Sequence, residues 1–201
     1  TADAVGLIDS PDVDVVVELV GGRTVAKEFI LRALGRGKPV VTANKALLAH
    51  DGAEVFAAAA ASSADVYYEA SVAGAIPIIK AMREGLIGNR IQQIVGILNG
   101  TCNYILTKME REGVAFSQAL KEAQKAGYAE TPPDLDIDGT DTAHKAAILA
   151  SLAYGTWFGL EPIHVEGIRG LAVQDIKSAQ RLGYRIKLLA IVKQENENVQ
   201  M

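Results

Sequence analysis

Apolar positions in the first third of the chain alternate between two styles. Val13 to Val20 is a near-continuous apolar run, interrupted by Asp14 and Glu18 and closed by Gly21-Gly22. Buried strands of a parallel sheet read this way because helices cover both faces. From Thr24 to Arg36 the spacing becomes helical, with Val25, Phe29, Ile30, Leu31 and Leu34 on one side and Gly35 and Gly37 as stop signals. Lys38 to Ala43 predicts a second short strand. Asn44 can cap a helix that begins at Lys45 and runs through an alanine-rich stretch to Ala61. Val66 to Ala70 predicts a third strand, ending at Ser71-Val72-Ala73-Gly74, and a helical stretch over Ala4 to Ile8 precedes the whole series.

Strand, helix, strand, helix, strand is the alternation of an α/β fold, here a partial doubly wound (Rossmann-type) parallel sheet. It reads as half of a dinucleotide-binding domain. The half that cradles the pyrophosphate normally opens with Gly-x-Gly-x-x-Gly after its first strand, and the sequence holds no such motif. Gly21-Gly22 suits close backbone approach by a ligand, and suits a plain loop turn equally well. From Pro77 the pattern changes. Helices are predicted over Ile76–Leu86, Cys102–Arg111, Phe116–Lys125, Asp141–Tyr154 and Val173–Leu182, and strands over Ile91–Leu98 and Arg185–Val192. Asn99-Gly100-Thr101 is a turn or cap, Ile163–Gly167 is short and extended, and Gln194–Asn198 is a polar turn into a further strand. This is an α+β arrangement with a mixed sheet, so the expected boundary separates residues 1–71 from 72–201. Both ends lie close to predicted elements, and the chain reads as a piece of something longer.

Composition narrows the classes of function. The 201 residues are 49% hydrophobic with a net charge of −4, and the basic residues are scattered, which disfavours nucleic acid and acidic membrane surfaces. Cys102 is the single cysteine, so no internal disulfide can form, and a reducing cytoplasm is the expected compartment. No apolar run approaches the roughly twenty residues needed to cross a bilayer, and Thr1-Ala2-Asp3-Ala4 does not open a signal peptide.

The densest chemistry lies between Ala123 and Lys145, where Glu130, Asp134, Asp136, Asp138 and Asp141 fall around two prolines and a glycine. Repulsion among five carboxylates calls for a positive partner. One reading is a solvated acidic turn. A second is calcium, since Asp134, Asp136, Asp138 and Gly139 match the first positions of an EF-hand loop, but the closing bidentate glutamate is replaced by Lys145, whose ammonium would repel the ion. The third is a carboxylate–lysine site. Gly139-Thr140-Asp141 looks like a helix start, and Asp141 and Lys145 then share one face four residues apart. A surface salt bridge would use the same spacing. The crowd of acids is what makes proton transfer by Lys145 a competing reading.

Four blocks together resemble the homoserine dehydrogenases: Thr42-Ala43-Asn44-Lys45, Glu69 to Pro77, Gly96 to Leu106, and Gly127 to Lys145. Their order and spacing match along essentially the whole chain, through Arg185 to Ala190. Pro132-Pro133 stands where the family usually has Asp-Pro, Ala75 stands where glycine is more usual, and the glycine-rich part of the nucleotide fold is missing. The resemblance implies NADH- or NADPH-dependent interconversion of aspartate 4-semialdehyde and homoserine, on the route to threonine, methionine and isoleucine. It implies Lys145, Asp141 and Asp136 as catalytic residues and Glu130, Asp141 and Lys45 as substrate contacts. Gly21, Gly22, Thr42, Asn44, Lys45 and Gly127 would line the NAD or NADP site. Backbone carbonyls of Glu69, Val72, Gly74 and Ile76 would hold a monovalent cation, usually sodium, which suits a hard ion. His144 is expected to be a packing or surface residue. A homodimer formed through the second domain's sheet is also implied. The alternative is a catalytically incomplete fragment that acts only as a dimeric substrate-binding module.

Overall fold

The computed structural model describes residues 2–195 and 198–201. The chain divides into two compact units, residues 1–91 with 147–162, and residues 92–146 with 163–201. In the first unit, α1 (Ala4–Asp9), β1 (Val16–Glu18), α2 (Thr24–Gly35), β2 (Val40–Thr42), α3 (Lys45–Ser62) and β3 (Val66–Tyr67) follow the predicted alternation. The strands form one parallel sheet in the order β1-β2-β3, with Val16 beside Val40 and Val40 beside Val66. All three are shorter than the apolar runs that announce them. Val17 and Tyr67, which share one face of the sheet, are exposed, whereas Val40 and Val66 on the other face are buried. Ile30 and Leu34 of α2 and Leu47, Leu48 and Val55 of α3 supply the rest of this core.

The start of α3 is set locally. Asn44 Oδ1 accepts from Leu47 N at 3.1 Å, satisfying one of the open amides of the first turn. Within the helix, Gly52 interrupts a good helix-forming sequence. A Cβ there would lie 2.0 Å from Cε2 and Cζ2 of Trp157, so the indole ring occupies the space a side chain would need. Trp157 also packs on Phe56, with ring centroids 4.9 Å apart. After β3 come a 3₁₀ turn (Glu69–Ser71), a loop with positive φ at Ala73 and Gly74, and α4 (Ile78–Lys80), which widens into a π-helical turn over Ala81–Gly85.

The second unit contains β4 (Gln93–Gly96), α5 (Gly100–Glu112), α6 (Phe116–Lys125), α7 (Asp134–Ile137), α9 (Val173–Arg181), β5 (Ala190–Glu195) and β6 (Asn198–Gln200). The helix α8 (Thr140–Tyr154) gives its first residues to this unit and those from Ala147 onward to the first. Ile105, Leu106 and Met109 of α5 pack with Ala119 and Ala123 of α6, Ile137 of α7 and Ile176 of α9. Where the sequence predicts a mixed sheet, both described ladders, β4 with β5 and β5 with β6, are antiparallel. The short β5–β6 connection permits nothing else, because a parallel partner needs a long crossover. β5 begins at Ala190 rather than Arg185, and Asn196 and Glu197 of the predicted polar turn lie outside the described residues. Ile163–Gly167 forms no strand, although His164 N donates to Met201 O at 3.0 Å.

The acidic segment is not a plain loop. Pro133 leads into α7, and Ile137 N closes a helical bond to Pro133 O at 3.1 Å. Gly167 is held tightly against its end, where an added Cβ would come within 2.3 Å of Ile137 O. No described helix is long and apolar enough to cross a membrane.

Candidate active site

Two groups of predicted site residues assemble, one in each unit. In the second unit, the helix start at Thr140 places Asp141 and Lys145 on one face, and Lys145 Nζ lies 2.6 Å from Asp141 Oδ2. The exposed salt bridge that the spacing also allowed is not what forms. The two side chains are only 16% and 9% exposed. Lys145 Nζ also donates to Leu98 O at 2.7 Å. Among the described residues these are its two acceptors.

Asp136 joins the same cluster through Asn99. The Asn99 amide Nδ2 donates to Asp136 Oδ1 at 2.8 Å and to Asp141 Oδ2 at 2.9 Å, while Oδ1 accepts from Cys102 N at 2.8 Å. Cys102 in turn directs its thiol to Asp136 O at 3.2 Å. Burial first, and then the Asp136 and Asp141 charges, push the Cys102 thiol up to about 12, so it stays protonated and packs as a small apolar residue. The bridging role of Asn99 is missed in the sequence, where the residue reads only as a turn or cap.

The remaining acids are answered by Arg169. Its Nε and Nη2 clamp Asp138 at 2.8 and 3.0 Å, and Nη2 reaches Asp134 Oδ1 at 2.5 Å. The Arg169 hydrogen bond holds the Asp138 carboxyl below the usual carboxylate range. Glu130 does not join these groups. Its side chain is exposed, and its main-chain oxygen accepts from Gln124 Nε2 at 3.2 Å. Gly127 has φ +76° and ends α6 in a Schellman-type turn, with Tyr128 N bonded to Ala123 O at 2.9 Å. His144 is buried.

In the first unit, a second cluster forms at the C-terminal edge of the parallel sheet. Glu18, only 3% exposed, accepts from Gly21 N at 2.9 Å and from Thr42 Oγ1 at 2.7 Å. Thr42 Oγ1 accepts from Asn44 N at 3.0 Å, and Asn44 Nδ2 donates to Gly22 O at 2.7 Å. One buried carboxylate thus ties Gly21, Gly22, Thr42 and Asn44 into a single loop assembly. Sequence reasoning misses Glu18 as a site residue. A polar residue closing an apolar strand just before Gly-Gly is the available signal. A cavity of about 260 Å³ opens here, lined by Glu18, Leu19, Gly21, Ala43, Asn44, Lys45 and Ala46. Gly21 and Gly22 have φ +76° and +72°, and a Cβ built on either meets no atom within 4 Å. The backbone is therefore open to a ligand, at the sheet edge where ligands of α/β folds gather.

The predicted cation ligands lie on one loop. Glu69 spends its side chain on Ile79 N and Lys80 N, both at 2.8 Å, and its main-chain oxygen accepts from Val72 N at 3.5 Å. Val72 is buried, Ile76 is exposed, and the chain reverses between them at Ala73 and Gly74. Among the described residues no cluster of three or more His, Cys, Asp or Glu side chains is placed to hold a metal.

Comparison with known proteins gives a consistent picture. Residues 77–201 match the family model for homoserine dehydrogenase, and residues 1–69 match that for the homoserine dehydrogenase NAD binding domain. The homoserine dehydrogenase of Neisseria gonorrhoeae is 50% identical over 99% of this chain and 46% of its own length. That of Pseudomonas aeruginosa is 48% identical over 100% and 46%. The crystal structure of a homoserine dehydrogenase from Thiobacillus denitrificans superposes with a TM-score of 0.96 at 49% identity, covering 99% of this chain and 46% of that one. A hyperthermophilic archaeal homoserine dehydrogenase in complex with NADPH superposes with a TM-score of 0.79 at 29% identity, over 98% of this chain and 57% of that one. The chain spans about half the length of the curated relatives it matches. With family models matched on both sides of residue 72 and a fold shared with solved members, the chain belongs to the homoserine dehydrogenase family.

Proposed function

We propose that this chain performs NAD- or NADP-dependent interconversion of homoserine and aspartate 4-semialdehyde, within threonine, methionine and isoleucine biosynthesis. The observation that carries the reading is Lys145. Its ammonium is held by Asp141 and Leu98 O, and the third N–H is left to point at an incoming oxygen. In the direction of homoserine, the carbonyl oxygen of the substrate gains negative charge as its carbon is reduced. Lys145 Nζ stabilises that oxygen and then gives it a proton. In the reverse direction the same nitrogen takes the hydroxyl proton. Asp141 fixes Lys145 and contacts substrate, Asp136 supports both, and exposed Glu130 receives the substrate ammonium.

Residues 1–71 hold the cofactor and residues 72–201 bind substrate, catalyse and dimerise. The open backbone at Gly21 and Gly22 and the cavity beside them fit the nicotinamide end of a dinucleotide, with Asn44 and Lys45 lining it and buried Thr42 supporting the loop through Glu18. Gly127 is a further cofactor contact in this reading. When bound, the cofactor supplies or accepts the hydride. Carbonyl oxygens of Glu69, Val72, Gly74 and Ile76 bind sodium. A homodimer forms through the sheet of the second unit, a reading supported by directly paired Val95 and Ile191, which are both exposed on one face.

The test is direct. The chain is incubated with homoserine and NAD⁺ or NADP⁺, and reduced nicotinamide is followed by absorbance. Turnover should appear and fall at least about 100-fold in Lys145→Ala. Turnover that survives this substitution sinks the assignment.

A further inference from the structure

We propose that Asn99 is the positioning residue of the Lys145 site: its amide, oriented by capping α5, sets the place of Asp136 and Asp141 and, through Asp141, that of the Lys145 ammonium. The inference rests on the reading of Lys145 as the proton-handling group. Asn99 is 3% exposed, so each of its polar groups needs a partner. Its Oδ1 is committed to Cys102 N, the amide that opens α5. That bond settles which side of the amide faces the acids. A flipped side chain would set an oxygen against two carboxylates and strip Cys102 N of its acceptor.

The two Nδ2 hydrogens are then divided, one to Asp136 Oδ1 and one to Asp141 Oδ2. Asp141 Oδ2 is the same atom that holds Lys145 Nζ. Two successive residues therefore fix the lysine by different means: Leu98 through its main-chain oxygen, and Asn99 through the carboxylate it orients. Their base is rigid, because α5 begins at Gly100 and its Ile105, Leu106 and Met109 are buried. A residue that served only as a helix cap would need Oδ1 alone. The paired donation by Nδ2 across two acids is the part that a cap leaves unexplained.

Asn99→Ser and Asn99→Asp both keep an oxygen for the cap and separate the two roles. The serine lacks the bridging NH₂. The aspartate puts an acceptor where the donor stood, against the two carboxylates, and adds negative charge that favours the protonated form of Lys145. Each chain is treated with a limiting amine-reactive anhydride, and the labelling rate of every lysine is read by mass spectrometry. Lys108 and Lys187 serve as references, since Lys108 stands on α5 and Lys187 Nζ bonds Asn103 and Thr107 of the same helix. Lys145 should label about 5- to 10-fold faster in Asn99→Ser, with both references within about twofold, and more slowly than the unsubstituted chain in Asn99→Asp. The proposal is overturned if Lys145 keeps its rate in Asn99→Ser, or if all three lysines accelerate together, the signature of a loosened α5. Failure of the catalytic reading looks different. Homoserine then gives the unsubstituted chain no protection at Lys145, whatever the Asn99 variants do.

Discussion

Replacing Gly52 by alanine puts helix propensity and packing in direct opposition. In the interior of α3 the change gains about 1 kcal/mol from propensity alone. Against this, the new methyl would lie 2.0 Å from the Trp157 ring, where ordinary contact is 3.4–4 Å, so the ring or the helix must retreat. Retreat disturbs the Trp157–Phe56 stack and, through Phe56, its edge contact with Tyr68 at 5.3 Å. Overpacking of this kind costs about 1–3 kcal/mol and a lost aromatic pair about 0.5–1.5 kcal/mol. The packing term wins, and Gly52→Ala should lower unfolding stability by about 1–3 kcal/mol. Trp157 is the single tryptophan, so urea unfolding followed by its fluorescence measures stability and reports the ring's surroundings together. A variant about 1 kcal/mol more stable, with unshifted native emission, would refute the placement of Trp157 over Gly52.

Other expectations follow from the same geometry. Asp141→Asn should reduce turnover at least about tenfold by releasing Lys145, and steady-state kinetics that lose KM alone would count against it. Asn44→Ala removes the cap of α3 and the bond to Gly22 O, and should cost about 1–2 kcal/mol in chemical unfolding. Cys102, whose thiol is raised to about 12, should resist alkylation in the folded chain at pH 8, and rapid modification there would contradict its burial. Since its folded value lies above the unfolded one, near 8.5, its contribution is intact below that pH and declines as pH rises towards about 12. Asp51 behaves oppositely: burial raises its pKa, but bonds from Arg23 and Lys27 outweigh that and hold it low. Its stabilisation is present above the unfolded value of about 3.9 and is lost as pH falls below it, which acid titration of Asp51→Asn against the parent would detect as a smaller loss.

Local features were legible in the sequence and distant ones were not. Asn44 before an alanine-rich stretch announced the start of α3, and the four-residue spacing of Asp141 and Lys145 announced their pairing. The acidic segment advertised its need for positive charge, yet one supplier, Arg169, stands 31 residues from Asp138 in the chain. Asn99 reaches Asp136 and Asp141 across 37 and 42 residues, a juxtaposition that depends on the packing of α5 against α7. Strand length failed for a related reason. Apolar runs mark what can pair, but a strand extends only as far as a neighbour is present, so Arg185–Leu189 lies outside β5.

The paired positive φ values at Gly21 and Gly22, in open surroundings, make this loop a matter of chirality rather than size. An L-alanine at either position would be strained with nothing touching it, while its mirror image would sit without strain. A chain assembled by semisynthesis with D-alanine at position 22 should keep the loop and the Glu18 bond to Gly21 N, and the methyl would then intrude on whatever ligand lies against the backbone. The loop would thereby become a steric gauge of how closely that ligand approaches.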